Sequence, residues 1–143
     1  MIELVLVICI ISILASVAIP RFASSMVRHR ADAAAQRIVA DLNFAQRRAR
    51  LASTSVSVIF DATNETYRLV GVSDPDHPGS EYTIRLFETP YEVGIVSADF
   101  NGDATVIFDG YGVPDSGGTV VVAAGTEQRT INLAAASGRV TLP

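Results

Sequence analysis

Cysteine is nearly absent from this 143-residue sequence. Cys9 stands alone, which excludes an internal disulfide framework and a cysteine zinc site. Two histidines, His29 and His77, all but exclude a histidine metal cage. There is no lysine: all eleven basic residues are arginine, which reads as genome composition rather than function. Charged residues are also few, 18% against 49% hydrophobic, and the net charge is only −4, so the chain lacks the polarity of a disordered segment. Its length allows one ordinary domain and hardly two. The mean hydropathy of +0.34 is the odd value. Either the core is unusually rich or the apolar residues are concentrated in one place.

They are concentrated. Residues 4–19 read LVLVICIISILASVAI, sixteen positions without a charge, eleven of them Leu, Ile or Val. Those eleven favour bilayer insertion by about 3–7 kcal/mol. As a helix the run spans roughly 24 Å, a little short of the ~30 Å hydrocarbon core, and Met1, Ile2 and Phe22 extend it. Ser16-Val17-Ala18 resembles a signal-peptide cleavage site, but the chain opens Met-Ile-Glu where a signal peptide has a basic region. We therefore expect residues 1–22 to be a retained transmembrane helix. Glu3 does not belong in such a helix. An ionisable group there calls for a cationic partner, and the first cation, Arg21, lies at the far end. Either the partner comes from another chain, or Glu3 rests among lipid headgroups.

Pro20 is expected to kink or restart the helix, since proline removes a donor and clashes with the preceding turn. Beyond it, Val27, Ala31, Ala34, Ile38, Leu42, Ala45, Ala49 and Ala52 recur in seven steps over 25 residues, close to the 3.6 period of an amphipathic helix. Arg28–Asp32 and Arg37–Asp41 stand at i,i+4 on other faces. The alanine stripe suits close packing against a sheet or neighbouring helices, and residues 23–53 are expected to cover one sheet of a head.

After Ser53 the period changes. Segments 55–61, 66–72, 82–87, 91–97, 104–108, 119–123, 129–133 and 138–142 are short and rich in β-branched or aromatic residues. Turn residues separate them, among them Thr63-Asn64, Asn101-Gly102 and the glycine-bearing 110–118 loop. Residues 54–143 are thus expected to form a small antiparallel β-sandwich head, making the whole an α+β chain. The charge divides the same way. Residues 1–50 carry a net +4 and residues 51–143 a net −8.

Ile2-Glu3-Leu4-Val5, the apolar run and Ala18-Ile19-Pro20-Arg21-Phe22 resemble the N-terminus of type IV pilins and type II secretion pseudopilins. Residues 31–50 leading into Val56-Ser57-Val58-Ile59-Phe60, the Val106-Ile107-Phe108 segment and Ser137-Gly138-Arg139-Val140 look like the pseudopilin H (GspH)/FimT branch. The resemblance implies a non-enzymatic minor subunit, with an inner-membrane helix that packs into a fibre and a periplasmic head. It implies other major and minor pilins or pseudopilins as partners and a place at or near the tip. It also implies that Glu3 pairs with the N-methylated terminal amine of a neighbouring subunit. The basic leader, the prepilin-peptidase cleavage glycine and the Phe-Thr pair of that pattern do not precede Met1, so the true start is expected upstream. A missing basic leader would also resolve a conflict of orientation. Arg21, Arg28 and Arg30 alone would keep the C-terminal side in the cytoplasm.

Other chemistry is weakly signalled, and no cofactor or metal is expected. Residues 99–103 (DFNGD) start like a calcium loop, but the sixth and twelfth positions hold Ala104 and Gly110 where glycine and glutamate are required. The Asp74-Pro75-Asp76-His77 cluster reads as a solvated loop, and no Ser-His-Asp order emerges. Arg47-Arg48-Arg50 reads as a solvated or sheet-covering helix end. The alternative function is a FimT-like minor pilin that binds DNA for uptake. A head with four arginines against twelve carboxylates repels the phosphate backbone, so nucleic acid is not the expected partner.

Overall fold

The computed structural model describes residues 1–74 and 77–143, without the side chains of residues 15–21 and 23. One helix, α1 (Ile2–Ala52), precedes eight strands: β1 (Val56–Asp61), β2 (Thr66–Ser73), β3 (Glu81–Arg85), β4 (Gly94–Asp99), β5 (Thr105–Phe108), β6 (Gly118–Ala124), β7 (Glu127–Leu133) and β8 (Val140–Thr141). The kink expected at Pro20 lies outside the described residues. Elsewhere the helix contains no proline and no glycine, and alanine dominates its second half. It ends where Ser53 turns left-handed, φ 50°, and its N–H reaches back to the Ala49 and Arg50 carbonyls.

Among the described residues no helix is long and apolar enough to cross a membrane. The apolar run 4–19 passes into residues 15–19, whose side chains lie outside the description. Residues 4–14 supply only about half of the ~20 positions that a span requires.

The second half of α1 has a closely packed face. Ala31, Ala34, Ile38, Leu42, Ala45 and Ala49 are buried as their spacing predicts, joined by Ala35. Val27 is half-buried and Ala52 exposed, so the stripe fades at both ends. Each buried Ile or Leu contributes about 1.5–3 kcal/mol, while the alanines contribute mainly close approach. That approach corrects one expectation. The helix packs against β7, β6 and β8 and also against β1, β2 and β5, which belong to two different sheets, not one. A face of methyl groups is shallow enough for strands of both.

The strands form two four-stranded antiparallel sheets, ordered β3-β2-β1-β5 and β4-β6-β7-β8. Alternate residues such as Val56, Val58 and Phe60 of β1 and Val120, Val122 and Ala124 of β6 join the helix face in one core. Phe60 meets Tyr67 in a tilted contact at 5.4 Å and stacks on Phe100 at 5.7 Å. Asn101-Gly102 does turn the chain, with φ 59° and 95°, and a Phe100–Asp103 bridge closes it. Its flanking strands then part into different sheets, so it is a corner and not the start of a long hairpin. The fourth strand begins at Gly94 instead of Tyr91 because the Tyr91 and Glu92 N–H groups bond the Glu88 carbonyl in a turn.

Candidate assembly surface

The first surface is the N-terminal helix. Glu3 lies in the first turn of α1, where the helix dipole favours a carboxylate, and Met1 caps that turn without a side-chain bond. Glu3 makes no ion pair among the described residues of its own chain. Around it Ile2, Leu4, Val5, Ile8, Ile11 and Leu14 all stand open, Leu4 at 63% exposure. An exposed apolar patch of this extent marks an interaction surface. Ser12 fits the same setting, because its hydroxyl donates to the Ile8 carbonyl at 2.7 Å and so carries no free donor into an apolar environment.

Where the helix meets the head, ion pairs cross between them. Arg28 pairs with Glu127 at 3.4 Å, Arg30 with Glu92 at 2.7 Å and Asp32 with Arg129 at 2.5 Å. The i,i+4 pair expected between Arg28 and Asp32 is therefore replaced by two pairs to the head. Arg129 also approaches Glu127 at 3.4 Å. Its guanidinium is held above its usual pKa first by the Asp32 hydrogen bond.

One functional-looking cluster escaped the periodicity argument. Asp41 is only 5% exposed. Its carboxylate accepts bonds from the Tyr67 hydroxyl at 2.6 Å, the Tyr82 hydroxyl at 3.1 Å and Arg37 Nε at 3.0 Å. Arg37 also donates to the Tyr82 hydroxyl and lies 5.9 Å above its ring. Burial first, then the Asp41 charge, pushes the Tyr67 hydroxyl well above the ordinary phenol range, and Tyr82 shifts up for the same reasons. Partial burial works against the Arg37 charge, but Asp41 and the two phenols more than reverse it. A charged group inside the helix–sheet contact is thereby fully hydrogen-bonded, which pins the rotation of the helix on the sheet β3-β2-β1-β5. The signal was present in the spacing. Asp41 stands three residues after Ile38 and four before Ala45, on the buried side.

At the far end, the basic run 47–50 divides its work. Arg50 Nε donates to the Tyr111 carbonyl at 2.9 Å, and Gln46 Nε2 to the Gly112 carbonyl at 2.8 Å, so the β5–β6 loop lies against the helix end. Arg47 and Arg48 instead line a groove with Phe44, Leu51, Val72 and Ser73.

No group of three His, Cys, Asp or Glu among the described residues could hold a metal ion. The Asp99 carboxylate of the calcium-like segment accepts the Gly102 N–H at 2.7 Å, as a turn residue does. His77 faces Asp74 at 3.3 Å on the surface, while exposed His29 lies on the helix.

Residues 34–137 match the sequence model of a family described as "Type II transport protein GspH". No curated protein matches the chain. Among solved structures, the minor pseudopilin EpsH from the Type 2 Secretion System of Vibrio cholerae is similar in fold. Its TM-score is 0.58 at 14% identity, covering 80% of this chain and 96% of that one. Two crystal forms of the type IV minor pilin FimU from Pseudomonas aeruginosa (strain PAO1) each give a TM-score of 0.56. Identities are 13% and 15%, covering 78% and 81% of this chain and 91% and 90% of theirs. At these identities the likeness is one of fold.

Proposed function

Because the chain belongs to the GspH family, we propose that it is a non-enzymatic minor subunit that enters a type II secretion pseudopilus or a type IV pilus through its N-terminal helix. The observation that carries this reading is the uncovered apolar surface of residues 2–14, continuous in one helix with the alanine face seated on the head. A helix with that surface needs lipid before assembly and neighbouring helices after it. In this reading residues 1–22 serve membrane and fibre, residues 23–53 fasten the helix to the head, and residues 54–143 form a head on the periplasmic side of the inner membrane. Glu3 takes a neighbouring subunit's terminal amine, and Pro20 bends the helix between its two settings. Processing by a prepilin peptidase, N-methylation and a place at or near the tip rest on the sequence resemblance.

No observation favours the DNA-binding alternative, since Arg129, one of two arginines near the C-terminus, is occupied by Asp32 and Glu127.

Removing residues 1–22 tests the reading. The remaining chain should be soluble and absent from sheared fibres that contain the full-length protein. A fragment that still entered the fibre would refute assembly through this helix.

A further inference from the structure

We propose that the groove between the end of α1 and the end of β2 is a docking site for an acidic, apolar-bearing peptide segment of a different subunit. The inference rests on the reading of the chain as a fibre subunit and names the chemistry of one of its partners.

The groove has a volume of about 330 Å³ and two unlike walls. Phe44, Arg47, Arg48 and Leu51 form one, at i, i+3, i+4 and i+7, which places them along a single stripe of the helix. That stripe is distinct from the buried one through Leu42, Ala45 and Ala49. Val72 and Ser73 form the other wall, where the β2–β3 register shifts between Leu69 and Ser73. Leu51 is 82% exposed at the rim, and Phe44 leans on the ring of Tyr82 at 6.2 Å. The floor is thus apolar and the rim carries two guanidiniums.

Their availability, side by side on one groove, is the distinguishing feature; Arg139 also makes no ion pair among the described residues, but it stands alone and does not line the groove. Arg28, Arg30, Arg37, Arg68, Arg85 and Arg129 are all engaged with carboxylates. Arg50 is turned to the Tyr111 carbonyl. Arg47 and Arg48 make no ion pair among the described residues. Two adjacent, unpaired guanidiniums on a chain whose residues 51–143 carry −8 form the place where an acidic partner is attracted and the surrounding surface repels it. Carboxylates suit the guanidiniums, which bind them in a bidentate fashion, and an apolar side chain suits Phe44, Leu51 and Val72.

Lipid is the wrong source of the anion. Arg47 lies 28 helical residues beyond Ile19, about 42 Å at 1.5 Å per residue, so headgroups around the apolar run do not reach it. A nucleic acid is a poor fit as well. Two arginines beside an apolar floor neutralise few phosphates, and the acidic head opposes the rest.

The experiment uses the full chain in lipid nanodiscs and fluorescence anisotropy of a labelled twelve-residue peptide of Glu, Asp, Leu and Phe, at low salt. The Gln/Asn counterpart of that peptide, a single-stranded oligonucleotide and empty nanodiscs complete the set. Binding of the acidic peptide should weaken at least tenfold in Arg47→Glu/Arg48→Glu and several-fold in Leu51→Ser. The Gln/Asn peptide should bind at least tenfold more weakly than the acidic one. Arg47→Gln/Arg48→Gln serves if the charge reversal fails to fold, with thermal unfolding as the check. Equal binding by wild type and variant overturns the proposal, as does equal binding of the neutral peptide, or no binding up to about 1 mM. Stronger binding of the oligonucleotide, or a change of self-association in the variants without peptide, overturns it in favour of a nucleic acid or a second copy. Failure here with the shortened chain still excluded from fibres removes the groove alone. Inclusion of the shortened chain in fibres removes the assembly reading instead.

Discussion

The carboxylate of Asp41 accepts the Tyr67 hydroxyl at 2.6 Å inside the contact between the helix and its sheet. Removing either partner leaves the other buried without that bond. Tyr67→Phe should lower stability by about 1.5–3 kcal/mol, the range for a hydrogen bond to a charged group. Asp41→Ala should cost about 1.5–3 kcal/mol, chiefly because it leaves the buried Tyr67 hydroxyl without an acceptor, while half-exposed Arg37 can turn to solvent. Urea unfolding measures both, and a loss below about 0.5 kcal/mol for Asp41→Ala would deny the cluster a structural role.

The same cluster makes stability pH-dependent at the alkaline end. Tyr67 and Tyr82 hold their protons to higher pH in the folded chain than in the unfolded one, where phenols titrate near ~10. Their contribution is fully present below that value and is lost as pH rises towards the folded pKa values. The thermal midpoint should therefore fall above about pH 10, and the fall should flatten in Tyr67→Phe. Identical slopes in the two proteins would contradict the assignment.

Close approach of helix and sheets depends on small residues. Ala45 is fully buried, so Ala45→Leu has no space to enter and should cost about 1–3 kcal/mol through overpacking. The midpoint of chemical unfolding reads this directly. A neutral result would mean that the helix can lift from the strands freely.

Gly112 sits at φ 73°, and a Cβ there would stand 2.3 Å from Arg50 Nε. Gly112→Ala should cost about 1–2 kcal/mol for the left-handed conformation alone. It should also displace Arg50 from the Tyr111 carbonyl, visible as faster amide exchange in the β5–β6 loop. Unchanged exchange would show that the loop is held by other contacts.

Much of this architecture was legible because hydrophobic period survives folding. The stripe from Ala31 to Ala49 and the eight strand segments follow from spacing alone, with the beginning of β4 displaced by the turn at Glu92. Pairing between elements was not legible. An i,i+4 rule assigns Asp32 to Arg28, yet Arg129, 97 residues away, arrives within 2.5 Å once β7 lies beside the helix. The charge of Asp41 points to solvent, but its i,i+3 and i,i+4 spacing from Ile38 and Ala45 is the better guide to its burial. The groove at Arg47 and Arg48 needs the end of β2 for its second wall, and a sequence read element by element does not place it there. Glu3 was singled out as an anomaly of composition, and the structure adds that its surroundings on this chain are apolar and uncovered.

In the proposed function this chain joins a fibre through Glu3 and the helix that bears it. Glu3→Ala can be quantified beside wild type in the membrane fraction and in sheared, crosslinked fibres. The variant should equal wild type in the membrane and fall at least tenfold, about 1.4 kcal/mol, in the fibre. Equal incorporation of the two proteins at equal membrane levels would contradict that reading.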